Sequence, residues 1–186
     1  MTNSLAETFL PQARTQLATR FMLVAFGVIL LAISSKVQVP FWPVPMTLQT
    51  SVVLLIGATY GLRNATSTLL SYIAAGAVGL PVFASGAGVA YMAGPTGGYL
   101  VGFLAAAMVM CWLADRGWGR GLASAVLMLL LGQVVIFGFG VAWLAALIGP
   151  AKAVAGGLLP FLPAEVLKTG LAAAVLAASW KRAGAA

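Results

Sequence analysis

The sequence predicts an all-α integral membrane protein with six transmembrane helices and both termini in the cytoplasm. Two observations predict the fold class: 62% of the 186 residues are hydrophobic and only 7% are charged, and the apolar residues fall into six separate segments. A soluble domain carries about 25% charged residues, and no soluble core of this size could bury so much apolar surface. A third observation, the distribution of lysine and arginine, predicts the orientation.

The six apolar segments approach the length of about 20 residues that a membrane helix requires. The second and third are short and are separated by only two residues. Gly57/Gly61 and Gly98/Gly102 fit the G-x-x-x-G pattern, for which close helix packing is the simplest interpretation. The expected segments are residues 17–35, 47–62, 65–83, 97–114, 122–147 and 160–180.

Residues 1–16 precede the first apolar segment, and we expect them to lie in the cytoplasm as part of a single transmembrane domain that covers residues 1–186. Ser4 and Glu7 match the S-x-x-E capping box, in which the serine hydroxyl and the glutamate carboxylate each satisfy a free backbone N–H. A short interfacial helix that begins there and a frayed tail are both compatible with this segment.

Lysine and arginine predict which side of the membrane each loop occupies, because cytoplasmic loops are enriched in both. Six spans place both termini on one side, and that side holds seven cations against two on the other. An odd number of spans would weaken this bias, so six spans with cytoplasmic termini are favoured. The seven cations are Arg14, Arg20, Arg63, Arg116, Arg120, Lys181 and Arg182, and the two are Lys36 and Lys152.

The composition excludes several classes of function. The chain has no histidine and a single cysteine, Cys111, which excludes histidine-based catalysis, haem ligation and a disulfide framework. The net charge of +7 comes mostly from residues at the ends of apolar segments, which contact lipid headgroups rather than nucleic acid. No nucleotide-binding loop is present, so we expect no cofactor and no enzyme activity, and any ATP would be hydrolysed by partner subunits.

Three features depart from the pattern of apolar helices, and all three are predicted near the outer face. They are the proline-rich stretch 36–45, the uncharged glycine-rich stretch 83–98, and the pair Glu165 and Lys168 inside the last apolar segment. Irregular backbone and buried charge are costly in lipid unless they line a cavity enclosed by protein. Their convergence predicts a polar pocket that opens outward.

Glu165 and Lys168 are three residues apart and therefore share one face of a helix. An ionisable residue within a spanning helix indicates a functional site: the lysine suits a substrate carboxylate, and the glutamate can accept hydrogen bonds from substrate N–H groups. The alternative is a self-neutralising ion pair that helps helix packing. Function is favoured because such a pair in lipid adds a desolvation cost without stabilising the fold.

The two outer loops supply the other candidate residues. Three prolines exclude continuous helix around Phe41 and Trp42, which form either a pocket wall or an ordinary aromatic belt. The glycine-rich stretch can close over a ligand as a lid that offers backbone N–H groups, or it is a flexible connection. The candidate binding residues in and next to these loops are Phe41, Trp42, Gln49, Ser85, Gly86, Tyr91, Gly94, Pro95, Thr96 and Gly97.

Four motifs in this chain resemble one known family. They are residues 39–49 (VPFWPVPMTLQ), 76–84 (GAVGLPVFA), 94–103 (GPTGGYLVGF) and 159–168 (LPFLPAEVLK). In this order they resemble the biotin-specific S component of energy-coupling-factor (ECF) transporters, the BioY family. The resemblance extends from about residue 20 to residue 180, so it covers nearly the whole chain.

The resemblance implies a six-helix subunit that captures biotin with high affinity on the outer face of a bacterial-type cytoplasmic membrane. In that family, importing complexes join it to a transmembrane coupling subunit and two cytoplasmic ATP-binding-cassette ATPases. The family's acidic residue and lysine in the last helix fall on Glu165 and Lys168, although the family more often has aspartate at the first position. Small residues on the first helix contact the coupling subunit, and here the candidates are Ala25, Gly27 and Ala32.

The chemistry of biotin agrees with the residues. Biotin has a cyclic urea with two N–H donors and one acceptor, a fused thioether ring and an anionic tail. Our hypothesis is that Glu165 accepts from the urea, that Lys168 attracts the carboxylate or completes the polar cluster, and that Trp42, Tyr91 and the glycine-rich stretch enclose the rings.

Two other functions are alternatives to biotin capture by an S component. A self-sufficient secondary transporter for a small carboxylate-bearing vitamin would use Glu165 as a proton-linked carboxylate, but no clear inverted repeat supports it. An intramembrane enzyme would need a paired acid or a Ser/Lys dyad at catalytic spacing, and the sequence offers neither.

Overall fold

The computed structural model describes residues 4–9, 11–14 and 16–185, and most of these residues are helical. Residues 1–3, 10 and 15 of the expected cytoplasmic segment, and the side chain of Arg14, lie outside the described part. The helices are α1 (Leu5–Phe9), α2 (Leu17–Lys36), α3 (Gln49–Tyr60), α4 (Leu62–Ala77), α5 (Gly88–Met92), α6 (Gly97–Asp115), α7 (Leu122–Ile148), α8 (Pro150–Gly157) and α9 (Leu162–Ala185). Two short strands, β1 (Gln38–Val39) and β2 (Met46–Thr47), pair antiparallel.

Among the described residues, four stretches are long and apolar enough to cross a membrane: α2, α6, α7, and Pro150–Gly184, which joins α8 and α9. The helices α3 and α4 coincide with the second and third predicted segments but have only 12 and 16 residues, fewer than the usual 20 or so. Gly61, with φ of 74°, separates the two helices, because a backbone turn with positive φ favours glycine. By length and composition the structure therefore supports four spans.

The helix α6 lies at the centre and packs against α3, α4 and α7. Glycines permit the close contacts: a Cβ added at Gly57 of α3 would lie 2.7 Å from the Cβ of Met110, and one at Gly98 of α6 would lie 2.2 Å from the Cβ of Trp143. Gly102 approaches the Ile136 carbonyl in the same way. These glycines bring backbones together as the G-x-x-x-G pattern predicts.

One end of the bundle gathers the starts of α2, α4 and α7 and the ends of α6 and α9. Arg20 donates a hydrogen bond from its Nε to the Oδ1 of Asn64 at 3.3 Å. The guanidinium of Arg120 lies 5.1 Å from the ring centre of Trp180, a cation–π contact. This basic end is the one for which the sequence predicts a cytoplasmic position.

The described part of the N-terminal segment docks on the basic end. Ser4 and Glu7 form the predicted capping box, in which each backbone N–H donates to the other side chain at 3.3 Å. Leu5 is buried, and α1 packs against α3 and α9. These contacts favour the short helix over the frayed tail for residues 4–9.

At the opposite end, which we name the loop end, the connections between helices fold over the bundle. The β1–β2 hairpin follows α2. Trp143 donates from its Nε1 to the carbonyl of Gly94 at 2.9 Å, and the Tyr99 hydroxyl donates to the carbonyl of Gly157 at 2.7 Å. The glycine-rich stretch is thus tied to α7, and it contains the short helix α5.

Gly27, one of the expected partner-docking positions, packs against another helix of the bundle. Gly27 is buried, and a Cβ added there would lie 2.6 Å from the Cγ2 of Thr68, so its small size serves the packing of α2 against α4. Ala25 and Ala32 are half-buried. The outward face of α2 instead carries large apolar side chains, namely Phe21, Met22, Phe26, Ile29 and Ile33.

We expect Gly57→Val to lower the free energy of unfolding by about 1–3 kcal/mol, because the added methyl groups overpack the contact between α3 and α6. Thermal unfolding in detergent measures the change. The matched control is Gly138→Val on α7, where an added Cβ meets no atom within 4 Å. Equal unfolding temperatures of the two variants would refute the close-packing argument.

Candidate functional site

A cavity lies at the loop end, between the start of α3, α4, α6, α7 and the start of α9. About 500 Å³ of space lies between the wall atoms, and part of this space is open to solvent. Only about 40 Å³ of it is wide enough for the centre of a water molecule. The wall side chains therefore fill most of the recess. A ligand larger than a few water molecules therefore enters only when the walls move apart.

Aromatic rings form most of the apolar wall. The ring of Phe83 stacks on Tyr91 with centroids 5.1 Å apart and meets Tyr72 edge-on at 5.5 Å. The rings of Phe137 and Phe161 are also edge-on, at 5.7 Å. Such walls suit a flat apolar ring system, which gains contact area without losing hydrogen bonds.

The charged pair Glu165 and Lys168 lies near the start of α9, with side chains that are only 3% and 11% exposed. The carboxylate and the ammonium form an ion pair. The Thr50 hydroxyl donates to the two carboxylate oxygens at 3.0 and 3.1 Å and accepts from the Lys168 ammonium at 2.8 Å. Burial of either charge alone would carry a large desolvation cost, so each depends on the other.

The Lys168 ammonium has three N–H donors, and three acceptors surround it. These are the Glu165 carboxylate, the Thr50 hydroxyl and the carbonyl of Thr47 at 2.9 Å. Lys168 lines a separate, more open recess beside the β1–β2 hairpin, whereas Glu165 lies on the wall of the aromatic cavity. In this arrangement Lys168 holds Glu165 in place and has no donor left for a ligand.

Gln133 of α7, which is absent from the residues predicted from the sequence, completes the polar cluster. Its Nε2 donates to the Oε2 of Glu165 at 3.0 Å and to the hydroxyl of Thr169 at 2.7 Å. That hydroxyl donates to the main-chain carbonyl of Glu165 at 2.7 Å. A signal was available, because a glutamine within the apolar segment 122–147 is a polar residue in a predicted membrane helix.

Gln49 begins a second polar chain at the start of α3. Its Nε2 donates to the Tyr72 hydroxyl at 2.7 Å, and that hydroxyl donates to the carbonyl of Val82 at 3.0 Å. The Ser35 hydroxyl donates to the same carbonyl at 2.8 Å. The chain connects α2, α3 and α4 to the segment that carries Phe83, and so it fixes one side of the cavity.

The structure brings part of the predicted set together. Four of the predicted residues lie on the cavity wall: Gln49, Tyr91, Thr96 and Glu165. Phe41 packs behind the wall, with its ring centroid 6.5 Å from that of Phe161, and Lys168 contacts the wall residue Glu165.

The remaining predicted residues lie off the cavity wall. Trp42 is 84% exposed, so its ring projects away from the bundle, and Ser85 is also exposed. Gly86 packs against the ring of Tyr91, and Gly97 packs against the carbonyl of Met92. The other two of the set, Gly94 and Pro95, are half-buried.

A sequence model described as the BioY family matches residues 4–185. The chain belongs to the BioY family. Membership agrees with the four apolar stretches and identifies a multi-pass integral membrane protein.

Named proteins with similar sequences align with most of the chain. A BioY protein of Pyrococcus horikoshii, named "Probable biotin transporter BioY", is 37% identical over 156 residues, which is 83% of this chain and 92% of that protein. The "Biotin transporter BioY" of Thermotoga maritima is 35% identical over 150 residues, 78% of this chain and 86% of that protein. Both relatives are named as transporters rather than enzymes.

A solved structure has the same fold. It is a crystal structure described as the S-component for biotin from an ECF-type ABC transporter. The two chains superpose with a TM-score of 0.77 at 22% identity, and the match covers 89% of this chain and 93% of the other.

Lys168→Met is expected to lower the free energy of unfolding by about 3 kcal/mol, because it leaves the buried Glu165 carboxylate without its counter-charge. The double variant Glu165→Gln/Lys168→Met should recover most of this loss, since neither charge is then buried. Thermal unfolding in detergent measures both. Lys152→Met, at an exposed position on α8, serves as the control, and a single variant as stable as the control would disprove the mutual dependence.

Proposed function

We propose that this protein binds biotin in the cavity at the loop end and imports it as the S component of an ECF transporter. The observation that carries the proposal is a buried carboxylate, Glu165, on the wall of a cavity lined largely by aromatic rings in a member of the BioY family. Its relatives are named biotin transporters, and the function they suggest fits the chemistry of this wall.

Glu165 has one acceptor position to offer a ligand. A carboxylate provides about four lone-pair sites, and its partners are Lys168, Gln133 and the single hydroxyl proton of Thr50. The site that remains can accept an N–H of the cyclic urea. A ligand without that donor would leave Glu165 partly unsatisfied, which is how a buried polar group selects between similar molecules.

The apolar part of biotin suits the aromatic wall. Phe83, Tyr91, Phe137 and Phe161 surround the space next to Glu165, and thioether sulfur makes favourable contacts with aromatic rings. Binding requires these rings to separate, because the space for water centres is about 40 Å³. Phe83 and Tyr91 belong to the glycine-rich stretch, so we assign the opening movement to that stretch.

We place six helices across the membrane, with both termini in the cytoplasm and the cavity outside. The basic end of the bundle is opposite the cavity, and basic ends face the cytoplasm. The short helix α3 crosses within the protein, where Val53, Leu54 and Ile56 are buried. The short helix α4 buries one face through Ala65 and Leu69 and exposes Leu70 on the other. A short span is tolerated when neighbouring helices or local thinning accommodate it.

We assign the energy for transport to partner subunits. The sequence has no phosphate-binding loop, so a transmembrane coupling subunit and two ATP-binding-cassette ATPases would supply it. The outward face of α2, with exposed Phe26, Ile29 and Ile33 beside the half-buried Ala25 and Ala32, offers the coupling subunit an apolar surface. Membrane lipid would cover the same surface in the free subunit.

Titration of the detergent-purified protein with biotin tests the binding function. We expect saturable binding. We expect the double variant Glu165→Gln/Lys168→Met, which buries no unpaired charge, to weaken binding by about 1.5–3 kcal/mol, or roughly 10- to 100-fold, because a hydrogen bond to a charged acceptor is lost. The control is Ser179→Ala on the same helix, whose hydroxyl contacts the Val175 carbonyl.

Two outcomes would count against this assignment. If the wild-type protein binds no biotin, the proposed function is wrong. If Glu165→Gln/Lys168→Met binds biotin as tightly as the wild type, the carboxylate is not part of the site. Lipoic acid has a similar acidic tail without a urea and should not compete, because it cannot donate to Glu165.

Single cysteines test the membrane arrangement. Val89→Cys in the glycine-rich stretch, where Val89 is 69% exposed, should react with a membrane-impermeant maleimide in intact cells. Gly184→Cys near the C-terminus should react only after the membrane is opened. Cys111 is buried and provides a low background. Labelling of Gly184→Cys in intact cells would show that the C-terminus lies outside and would contradict the proposed orientation.

A further inference from the structure

The anionic tail of biotin needs a partner that the Glu165 cluster does not supply. An ionised carboxylate is costly to bury unless a cation or N–H donors meet it. The three donors of the Lys168 ammonium are engaged by Glu165, Thr50 and Thr47. A ligand carboxylate at Lys168 would have to displace one of these contacts and compete with the Glu165 charge. The tail is therefore better matched elsewhere.

Lys36, the last residue of α2, lies at the same end of the bundle. Its Nζ donates to the carbonyl of Phe83 at 2.5 Å and to that of Ala84 at 3.5 Å, and both residues belong to the cavity wall. The amide of Gln38 also donates to the Ala84 carbonyl, at 3.3 Å. One of the three ammonium donors remains for a ligand, and the side chain is exposed.

The positive charge of Lys36 also lacks a nearby counter-charge. The chain has three acidic residues. Glu165 is paired with Lys168, while Glu7 in α1 and Asp115 at the end of α6 lie at the basic end. In the described part of the chain the Lys36 ammonium contacts main-chain carbonyls, which bind it without neutralising it.

We propose that Lys36 recognises the carboxylate of biotin at the loop end of the cavity, a proposal that rests on the proposed function. Glu165 then accepts a hydrogen bond from the urea at one end of the ligand, and Lys36 binds the carboxylate at the other end. The aromatic rings of the cavity wall hold the fused ring system. Lys36 is a specificity-determining residue, since it selects acids over neutral molecules with the same rings.

The test compares biotin with its neutral primary amide, which keeps the urea, the thioether ring and the tail length. The wild-type protein should bind biotin about tenfold more tightly than the amide, through a charge-assisted contact. Lys36→Met should bind the two ligands equally, by losing affinity for biotin alone. Lys36→Arg should retain most of the preference. Lys152→Met, another exposed cation outside the cavity wall, should behave as the wild type.

Several outcomes would overturn the proposal. Equal weakening of both ligands by Lys36→Met would show that Lys36 only ties down the Phe83 and Ala84 carbonyls. An unchanged preference for the acid in Lys36→Met would remove Lys36 from the site while leaving biotin binding intact. A wild-type protein that binds no biotin would instead defeat the proposed function, and this proposal with it.

A measurement on the wild-type protein keeps the proposal testable if Lys36→Met does not fold. Because Lys36 is exposed, its attraction for the carboxylate is screened by salt. The preference for biotin over the amide should therefore shrink as the salt concentration rises from about 0.01 M to 1 M. A preference that is absent, or that salt does not change, would refute the assignment.

Discussion

The constraint on which the loop end depends is a pair of opposite charges, Glu165 and Lys168, placed among apolar helices. Each charge would be costly alone, so hydrogen-bonding groups must converge on the pair from several elements. Thr50 arrives from α3 and Gln133 from α7. The start of α9 is thereby fixed against α3 and α7, and one wall of the cavity is built on helices rather than on loops.

The opposite wall has a different construction. It consists of the glycine-rich stretch, held by hydrogen bonds to its main chain from Lys36, Gln38 and Trp143. Helices that meet through glycines leave little room for adjustment, whereas a segment held by a few hydrogen bonds can open locally. The cavity thus combines a rigid polar wall with an adjustable aromatic one. A ligand would be oriented by the first and enclosed by the second.

The sequence predicted the helical class and the approximate positions of the long helices because apolar segments and their breaks are local features. It also pointed to Glu165, since a charge in an apolar segment is conspicuous. Tertiary contacts decided the rest. The donors of Lys168 are fully used only because Thr47 and Thr50 come from another helix and hairpin. The direction in which Gly27 faces could not be predicted either, because small residues on a helix occur both where it packs against another helix and where it contacts a partner.

Gln133 and Trp42 illustrate what a sequence leaves undetermined. Gln133 lies in the most apolar of the long segments, where its polarity stood out, but its partners are more than thirty residues away along the chain. Trp42 belongs to a motif of the family, yet its ring is 84% exposed. A motif identifies a residue without fixing the direction of its side chain, which the fold of the hairpin determines.

The neutrality of the Glu165–Lys168 pair has a consequence for energetics across the bilayer. A single charge carried through the full membrane potential involves work of about 2.3 kcal/mol per 100 mV. A matched pair that moves as one unit involves almost none. Any displacement of the start of α9 along the membrane normal is therefore nearly independent of voltage, and the membrane potential cannot drive it.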